Sequence, residues 1–209
     1  GADIEEVAHV LGMDHRIGAD FLKAGPGFGG SCFRKDVLNL VYLCRMHGLD
    51  DCAAYWEGVI RMNEAQQRRI VLRTVQALFN TLSGKRIALF GFAFKANTGD
   101  TRETPALSVA RMLAEERAQL MITDPQALPN ARKDLADLPG VHFCESPYDA
   151  ADGADAVLVM TEWTDYRALD WAQIFRAMRK PALIFDTRNI LDHAALRQLG
   201  FRVLAVGKP

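Results

Sequence analysis

The sequence comprises 209 residues, of which 49% are hydrophobic and 24% charged, with a formal net charge of −1 at pH 7. This length accommodates one large or two small domains. The near-neutral charge argues against binding of nucleic acid or a membrane surface through bulk electrostatics. We expect neither a membrane span nor a signal peptide, because the chain contains no apolar run of the required length. The four cysteines and five histidines show no metal-ligand spacing, so we expect a reduced, cytoplasmic protein without a metal site.

Residues 1–82 are predicted to be helical around one glycine-rich loop. Apolar residues at helical spacing mark a short first helix, and a second helix carries Cys32 and ends at Gly48. A longer amphipathic helix follows over residues 52–82, and its apolar surface exceeds what one small domain covers. We expect this long helix to bridge domains or to form a subunit interface. A helix that simply faces the core is the alternative.

The loop and helix start at residues 23–36 form the most informative segment of the chain. Four glycines within six residues lead to Cys32 in the predicted first turn of a helix, with Ser31 as its N-cap. Free amides and the helix dipole favour a thiolate there, so Cys32 is expected to ionise most readily of the four cysteines. Asp36 lies one turn later on the same face, and a nucleophile beside a carboxylate is typical of covalent catalysis. A buried structural cysteine is the alternative, which the bare glycine approach disfavours.

The same glycines, at residues 25–30, also match the dinucleotide-binding pattern G-x-G-x-x-G. That fingerprint requires a strand directly before it, within a βαβ unit. Residues 14–23 show no strand-like alternation, so we reject the Rossmann interpretation. The glycines are better explained as letting the backbone pass close to a ligand.

From residue 83 onward, short apolar strands alternate with helices. The predicted strands are residues 85–91, 120–124, 141–144, 156–160, 182–185 and 201–205. Helices are predicted from Thr104 and Pro105 onward and around residues 147–152, 165–179 and 192–199. This alternation predicts an α/β fold with a doubly wound parallel sheet, which binds ligands beyond the carboxyl ends of its strands. The chain therefore divides into a helical region over 1–82 and a Rossmann-like domain over 83–209.

Polar loops follow several of the predicted strands. The loop after the first strand carries Phe94, Lys95 and Arg102, which suit an anionic, ring-bearing ligand such as a nucleotide sugar. An ordinary solvated loop is the alternative. Arg188 follows the fifth strand, and cations from two strand ends at one sheet edge favour the ligand. Asp124 follows the second strand, where a carboxylate would meet a ribose, although carboxylates are common at strand ends.

Several long motifs in a fixed order resemble the nucleotide-sugar dehydrogenases, and the UDP-glucose 6-dehydrogenases in particular. The motifs are Gly12-Met-Asp-His-Arg-Ile-Gly, Phe21-Leu-Lys followed by Gly-Phe-Gly-Gly-Ser-Cys32-Phe-x-Lys-Asp36, Gly91-Phe-Ala-Phe-Lys95, Thr98-Gly-Asp-Thr-Arg-Glu, Thr161-Glu-Trp and Phe185-Asp-x-Arg188. The resemblance covers essentially the whole chain and is nearest to the animal-like branch that uses UDP-glucose.

The resemblance implies an enzyme that oxidises C6 of a UDP-sugar twice, from alcohol to acid, with two NAD. Cys32 resembles the nucleophile that captures the aldehyde as a thiohemiacetal and then carries a thioester. Asp36 resembles the aspartate that assists water or holds the catalytic network. The implied substrate-binding residues are Arg16, Phe21, Lys23, Gly25, Phe28, Gly29, Phe94, Lys95 and Arg188. The implied contacts to NAD are Arg102, Cys32 and Lys35.

The resemblance also carries implications for assembly and for what the chain lacks. Arg16 matches an arginine that reaches the substrate of a neighbouring subunit, which implies a homodimer or larger homo-oligomer through the central helix. Arg34 stands where members of the family usually have proline or glutamine. We expect its side chain to point away from the sulfur of Cys32. The family's N-terminal Rossmann domain and its catalytic lysine, asparagine and glutamate are not among the 209 residues. We therefore expect a fragment that does not turn over NAD alone.

Alternative functions stay open at this point. Family members that act on GDP-mannose or on UDP-N-acetyl sugars share these motifs. A stand-alone nucleotide-sugar-binding or dimerisation module would carry the same residues without catalysis. An unrelated thiol enzyme that pairs Cys32 with a histidine is disfavoured, because no histidine has a sequence context that ties it to the loop.

Overall fold

Three helices precede all six strands in the computed structural model, which describes residues 1–208. The helices are α1 (Ile4–Gly12), α2 (Phe33–Met46), α3 (Asp50–Ala77), α4 (Pro105–Glu115), α5 (Leu128–Asp134), α6 (Pro147–Ala151), α7 (Trp171–Ala177) and α8 (His193–Leu199). The strands are β1 (Arg86–Phe90), β2 (Gln119–Thr123), β3 (Val141–Phe143), β4 (Ala156–Val159), β5 (Leu183–Asp186) and β6 (Arg202–Ala205). A short 3-10 helix covers Thr164–Ala168.

The second and third helices form a hairpin around a small apolar cluster. Val41 and Cys44 of α2 are buried against Ala53 of α3, and Trp56 packs against this cluster. The turn between the helices contains Gly48 with φ +68°, a conformation that glycine adopts without steric cost. The predicted end of α2 at Gly48 is therefore confirmed to within two residues. Within residues 1–208, no helix has both the length and the apolar composition to cross a lipid bilayer.

The long helix α3 begins and ends earlier than its apolar pattern predicts. It starts at Asp50 and Asp51, whose carboxylates favour the positive end of the helix dipole. It ends at Ala77 rather than at residue 82, because Phe79 and Asn80 take positive φ values of 66° and 61°. The apolar residues that follow belong to the turn into β1 and not to the helix.

Helix α3 also joins the helical hairpin to the sheet. It packs against both α2 and α4. Two guanidinium groups fix its C-terminal end to β6: Arg73 donates to the Ala205 carbonyl at 2.9 Å, and Arg202 donates to the Ala77 carbonyl at 2.8 Å. The helix therefore contacts both parts of the chain, as expected for a bridging element.

The six strands form one parallel sheet in the order β3-β2-β1-β4-β5-β6. The order reverses between β1 and β4, which creates the switch point where such sheets bind ligands. All residues of β4 and β5 are buried, and successive strand residues point to opposite faces, so both faces are covered. The predicted α/β class and doubly wound parallel sheet are confirmed.

The helices of the sheet domain differ from the prediction in two places. Helix α5 was not predicted; only Leu128 and Ala131 of its seven residues are buried, which is too few to give a helical apolar pattern. The helix predicted over residues 165–179 is divided into the 3-10 helix and α7. The division comes at Asp170, whose side chain accepts a hydrogen bond from the Gln173 amide and caps α7.

Candidate active site

A cavity of about 890 Å³ opens between the glycine-rich loop and helix α3. Tyr55, Val59 and Met62 of α3 form an apolar wall, and Arg188 reaches the cavity from the end of β5. Five of the predicted substrate-binding residues line it: Phe21, Lys23, Gly25, Phe28 and Arg188. The cavity therefore joins an apolar wall to two cationic side chains, which suits an anionic ligand with a ring.

Two amide side chains of α3 hold the loop that lines this cavity. Asn63 accepts a hydrogen bond from the Phe28 amide at 2.8 Å and donates one to the Phe28 carbonyl at 3.1 Å. Gln66 donates to the Gly25 carbonyl at 3.0 Å. Between them, Gly27 has φ +121°, and a Cβ there would lie 2.5 Å from Oδ1 of Asn63. The loop therefore requires glycine at this position to reach the helix.

Neither Asn63 nor Gln66 is among the site residues predicted from the sequence. Both lie three residues apart on one face of α3, so they are neighbours on the helix surface. Polar residues at such a spacing are normally read as a solvated face. Their pairing with a distant loop backbone depends on tertiary structure.

Arg188 lies largely buried at the base of the cavity, with 16% of its side chain exposed. Its Nε donates to the Met160 carbonyl at 2.9 Å, and its Nη2 donates to the Phe94 carbonyl at 3.2 Å. Burial lowers the pKa of the Arg188 guanidinium, and the carboxylates of Glu162 and Asp186 oppose this shift. The ends of β1, β4 and β5 thus meet at this side chain.

Asp186 shapes the turn that presents Arg188. Its carboxylate is fully buried and accepts hydrogen bonds from the amides of Arg188 at 3.0 Å and Leu191 at 2.8 Å. Nε2 of His193 lies 3.0 Å from the same carboxylate. Three partners within seven residues therefore fix the backbone that carries Arg188.

Cys32 occupies the N-cap position of α2, directly before its first residue, Phe33. The prediction that Ser31 caps this helix is wrong, because the chain enters helical geometry one residue later than its sequence indicates. The Cys32 side chain is exposed, and Oγ of Ser31 lies 3.5 Å from its sulfur. Asp36 follows one turn into α2 with an exposed carboxylate, 3.7 Å from Nζ of Lys35. The nucleophile candidate is therefore accessible at the open end of a helix.

The segment before Cys32 docks tightly onto the loop that follows β1. The Gly30 amide donates to the Arg102 carbonyl at 2.9 Å. A Cβ at Gly29 would lie 2.5 Å from the Glu103 carbonyl oxygen, and one at Gly30 would lie 3.0 Å from the Phe94 ring. These two glycines let the backbone of the Cys32 loop approach the strand-end loop, so both loops share one surface.

Charged side chains surround this docked surface. Arg34 pairs with Glu64 of α3 at 3.1 Å and with Glu103 at 3.6 Å, so it links three parts of the chain. The hydrogen bond to Asp100 raises the pKa of Arg102, and charge on Cys32 adds a smaller effect in the same direction. Arg102 pairs with Asp100 at 2.7 Å and remains largely exposed.

Several predicted site residues lie outside the cavity lining. Arg16 pairs with Asp14 at 2.5 Å, and 77% of its side chain is exposed. Nζ of Lys95 lies 5.3 Å from the centre of the Phe94 ring, above the loop after β1. The other predicted residues outside the lining are Gly29, Cys32, Lys35, Asp36, Phe94 and Arg102. They lie on the docked loops and on the first turn of α2.

Asp124 has a structural role, and the suggestion that it meets a ribose is wrong. The residue is 4% exposed. Its Oδ2 accepts hydrogen bonds from the amides of Phe92 and Ala93 and from Nε1 of Trp163, at 2.6, 3.0 and 3.1 Å. Its Oδ1 accepts from the Gln126 and Ala127 amides at 2.8 and 2.7 Å. The carboxylate therefore ties together the loops after β1, β2 and β4 and has little capacity left for a ligand.

The dinucleotide pattern at residues 25–30 lies in irregular backbone before α2, and the first strand of the described chain begins only at Arg86. Its rejection as a Rossmann signature is confirmed. In the part of the chain that the structure covers, no group of three or more His, Cys, Asp or Glu side chains is arranged to hold a metal ion.

Residues 1–65 match the central domain of the UDP-glucose/GDP-mannose dehydrogenase family, and residues 88–193 match its UDP binding domain. UDP-glucose 6-dehydrogenase of Caenorhabditis elegans is 50% identical over 215 residues, covering 99% of this chain and 45% of that protein. UDP-glucose 6-dehydrogenase 1 of Oryza sativa subsp. japonica is 47% identical over 228 residues, covering 100% of this chain and 47% of that protein. The chain thus spans about half the length of these relatives.

A solved structure gives the same result. The UDP-glucose dehydrogenase from the archaeon Pyrobaculum islandicum superposes with a TM-score of 0.79 at 31% identity, covering 96% of this chain and 44% of that one. The match to the central domain falls on the helical part of the chain, and the match to the UDP binding domain falls on the sheet. The chain belongs to the UDP-glucose/GDP-mannose dehydrogenase family.

Proposed function

We propose that this chain supplies the cysteine and the UDP-sugar-binding part of a UDP-glucose 6-dehydrogenase. The central observation is the cavity between the glycine-rich loop and α3, with Arg188 beneath it and Cys32 on the continuation of the same loop. The identity of 45–50% to curated UDP-glucose 6-dehydrogenases supports this choice of substrate. The enzyme as a whole oxidises UDP-glucose to UDP-glucuronate in two steps.

The nucleotide sugar is proposed to bind along the cavity and the adjoining loop after β1. Arg188 and Lys23 offer positive charge to the diphosphate, and Phe21 and Phe28 offer apolar surface to the uridine and sugar. The glycine backbone at Gly25 leaves room for the ligand, because a Cβ there would lie 3.2 Å from Nη1 of Arg188. Gly29, Phe94 and Lys95 complete the proposed contacts on the docked loops.

Cys32 is proposed to act as the covalent nucleophile. The Cys32 thiolate attacks the C6 aldehyde, so a carbon–sulfur bond forms and the carbonyl oxygen takes up a proton to give a thiohemiacetal. Loss of that proton and of a hydride from C6 gives a thioester. Water then attacks the thioester carbon, the carbon–sulfur bond breaks, and the carboxylate and the free cysteine are released. Asp36 is proposed to orient this water or to receive its proton.

Lys35, Arg102 and Cys32 are the residues of this chain proposed to contact NAD. The side chains of Lys35 and Arg102 are 73% and 69% exposed and carry positive charge beside the Cys32 loop, so they fit one edge of a diphosphate-bearing cofactor. When bound, NAD supplies the hydride acceptor for the oxidations. We expect the 209 residues alone to bind UDP-glucose without reducing NAD.

A homodimer or larger homo-oligomer through the central helix is part of the proposal. Apolar side chains are exposed on α2 and α3, including Tyr42, Met46 and Met62. A patch of this kind is typical of a protein interface. Arg16 lies exposed beyond the end of α1, and we propose that it contacts the substrate of a neighbouring subunit.

Isothermal titration of the chain with UDP-glucose, GDP-mannose and UDP-N-acetylglucosamine tests the choice of substrate. The proposal expects UDP-glucose to bind most tightly and Arg188→Met to weaken that binding at least tenfold. Preference for the guanosine nucleotide would overturn the assignment to UDP-glucose. A stand-alone binding or dimerisation module is the second candidate; recovery of NAD reduction when the N-terminal domain of a relative is supplied would argue against it.

A further inference from the structure

Glu162 lies beside Arg188 at the carboxyl edge of the sheet. Glu162 follows β4 and Arg188 follows β5, and these two strands are hydrogen-bonded neighbours. Oε2 of Glu162 lies 3.1 Å from Nε of Arg188. Oε1 of Glu162 accepts a hydrogen bond from the Ala96 amide at 3.3 Å, in the loop after β1. The Glu162 carboxylate thus connects its own strand end, after β4, to the segments that follow β1 and β5.

The hydrogen bonds of Arg188 leave one edge of its guanidinium directed at the cavity. Nε and Nη2 donate to the carbonyls of Met160 and Phe94. Nη1 is the nitrogen nearest to Gly25, whose backbone lines the cavity. Two of the three guanidinium nitrogens therefore donate to the protein, and the third lies beside the Gly25 backbone that lines the space proposed for the diphosphate.

Carbonyl oxygens alone leave the positive charge of a buried guanidinium without a counter-charge. Arg188 is 16% exposed, and a buried charge is costly unless it is paired. Glu162 pairs with the guanidinium at 3.1 Å, and the buried Asp186 carboxylate adds a smaller favourable effect. Oε2 of Glu162 has no hydrogen-bond partner within residues 1–208, because Nε of Arg188 already donates to Met160. Glu162 therefore contributes charge rather than a hydrogen bond to Arg188.

We propose that Glu162 is a positioning residue that keeps Arg188 buried with its Nη1 edge turned toward the nucleotide-sugar cavity. This inference deepens the proposed function and rests on it for the identity of the ligand. Glu162 does not contact the ligand; it acts through Arg188. The carboxylate balances the guanidinium charge when the cavity is empty, and the diphosphate shares that charge when the cavity is filled.

The test compares Glu162→Gln, which removes the charge but keeps the shape, with Glu162→Asp, which keeps the charge. Glu145→Gln is the control, because Glu145 is a largely exposed carboxylate whose removal makes the same change in net charge. Steady-state kinetics on the full-length enzyme give KM and kcat for UDP-glucose. Mass spectrometry gives the rate at which phenylglyoxal modifies Arg188, a readout that needs no ligand.

We expect Glu162→Gln to raise KM for UDP-glucose at least tenfold, to change kcat less than threefold, and to speed modification of Arg188 at least threefold. In Glu162→Asp, the rise in KM and the faster modification of Arg188 should both be smaller than in Glu162→Gln. Glu145→Gln should show neither effect. In an Arg188→Met background, Glu162→Gln should add less than a twofold change in KM, because the two residues act as one unit. A further tenfold rise in KM for UDP-glucose in the Arg188→Met background would overturn the proposal.

Unchanged KM and unchanged modification in Glu162→Gln would also overturn the positioning role. A lower melting temperature with normal KM in the folded enzyme would point to stability alone and would count against it. Faster modification of Arg188 together with no UDP-glucose binding by the unsubstituted protein would overturn the proposed function and leave the positioning role standing. The two failures are therefore distinguishable.

Discussion

Asn63 and Phe28 are joined by two hydrogen bonds that run in opposite directions, from backbone amide to side-chain oxygen and from side-chain amide to backbone carbonyl. The side chain of a helical residue thus pairs with a loop in the way that one strand pairs with its neighbour. The pairing fixes the backbone of Phe28 on the cavity wall. A contact outside the family-like motifs therefore determines the shape of the candidate site.

Asn63→Ala is expected to weaken UDP-glucose binding by roughly tenfold to thirtyfold. The substitution removes two hydrogen bonds worth about 1 kcal/mol each, so the loop loses its bound geometry. Isothermal titration measures the affinity for UDP-glucose. Gln66→Ala loses one hydrogen bond to the loop, so its affinity should lie between those of Asn63→Ala and the unsubstituted protein. Gln76→Ala on the exposed face of the same helix is the control. If Asn63→Ala bound UDP-glucose as tightly as the unsubstituted protein, the loop would keep its shape without the two hydrogen bonds to Asn63.

Cys32 should react with iodoacetamide faster than the other three cysteines at neutral pH. Cys52 is a demanding comparison, because it is also exposed in the first turn of a helix. We expect Cys32 to react several times faster than Cys52. Peptide mass spectrometry over time measures both rates in one sample, and rates that remain different in urea would point to a cause other than the fold.

The same experiment gives a pH dependence for Cys144. Burial raises the pKa of the Cys144 thiol above its ordinary value, so less thiolate forms near neutral pH than on an unfolded cysteine. Alkylation of folded Cys144 should therefore begin at higher pH than alkylation of the denatured chain, and should be slower at pH 8. Identical pH profiles for the folded and denatured chains would contradict the burial of this thiol.

Asp124→Asn should destabilise the fold by about 2–4 kcal/mol. The amide nitrogen of asparagine brings donors against backbone amides that now donate to a carboxylate. Thermal unfolding should show a melting temperature lower by roughly 5–15 °C. Asp137→Asn alters an exposed carboxylate that pairs with Arg111, so it should leave the melting temperature nearly unchanged. A ribose contact would give the opposite pattern, with weaker ligand binding and an unchanged melting temperature.

Gly29→Ala and Gly58→Ala should shift the melting temperature in opposite directions. A Cβ at Gly29 would meet the Glu103 carbonyl at 2.5 Å, so the backbone must move, at a cost of about 1–3 kcal/mol. A Cβ at Gly58 would meet only the flexible end of Arg61 at 3.8 Å, and alanine favours the helix by about 0.5–1 kcal/mol. Calorimetry of the two variants checks both signs. Stabilisation by Gly29→Ala would show that the two loops do not dock as described.

The strands and the order of motifs could be predicted because each depends on local sequence. Continuous apolar runs mark buried strands, and the glycines before Cys32 can be recognised directly in the sequence. Helix α5 could not be predicted, since two buried residues in seven leave no periodic pattern. The exact start of the helix after Cys32 could not be predicted either. It depends on the backbone angles of a loop that packs closely against Phe94 and Glu103, which are distant in sequence.

The roles of Asp124 and Asn63 could not be predicted for a related reason. An acidic residue after a strand has the same sequence signature whether it binds a ribose or five protein donors. An asparagine on an amphipathic helix has the same signature whether it faces water or a distant loop. Only the pairing of segments far apart in the chain, 31 to 39 residues away in these cases, decides between the two.

The fixed C-terminal end of α3 has a thermodynamic consequence for binding. Arg73 and Arg202 attach the helix to β6, the same helix forms the cavity wall, and Arg188 rises from the strand beside β6. The cavity wall and the Arg188 guanidinium are therefore both tied to the sheet, and we expect a ligand to meet a shape that is already formed. Little of the binding free energy should then go into ordering the protein. Phe21, fully exposed at the rim of the cavity, is the side chain that we expect to become ordered when a ligand enters.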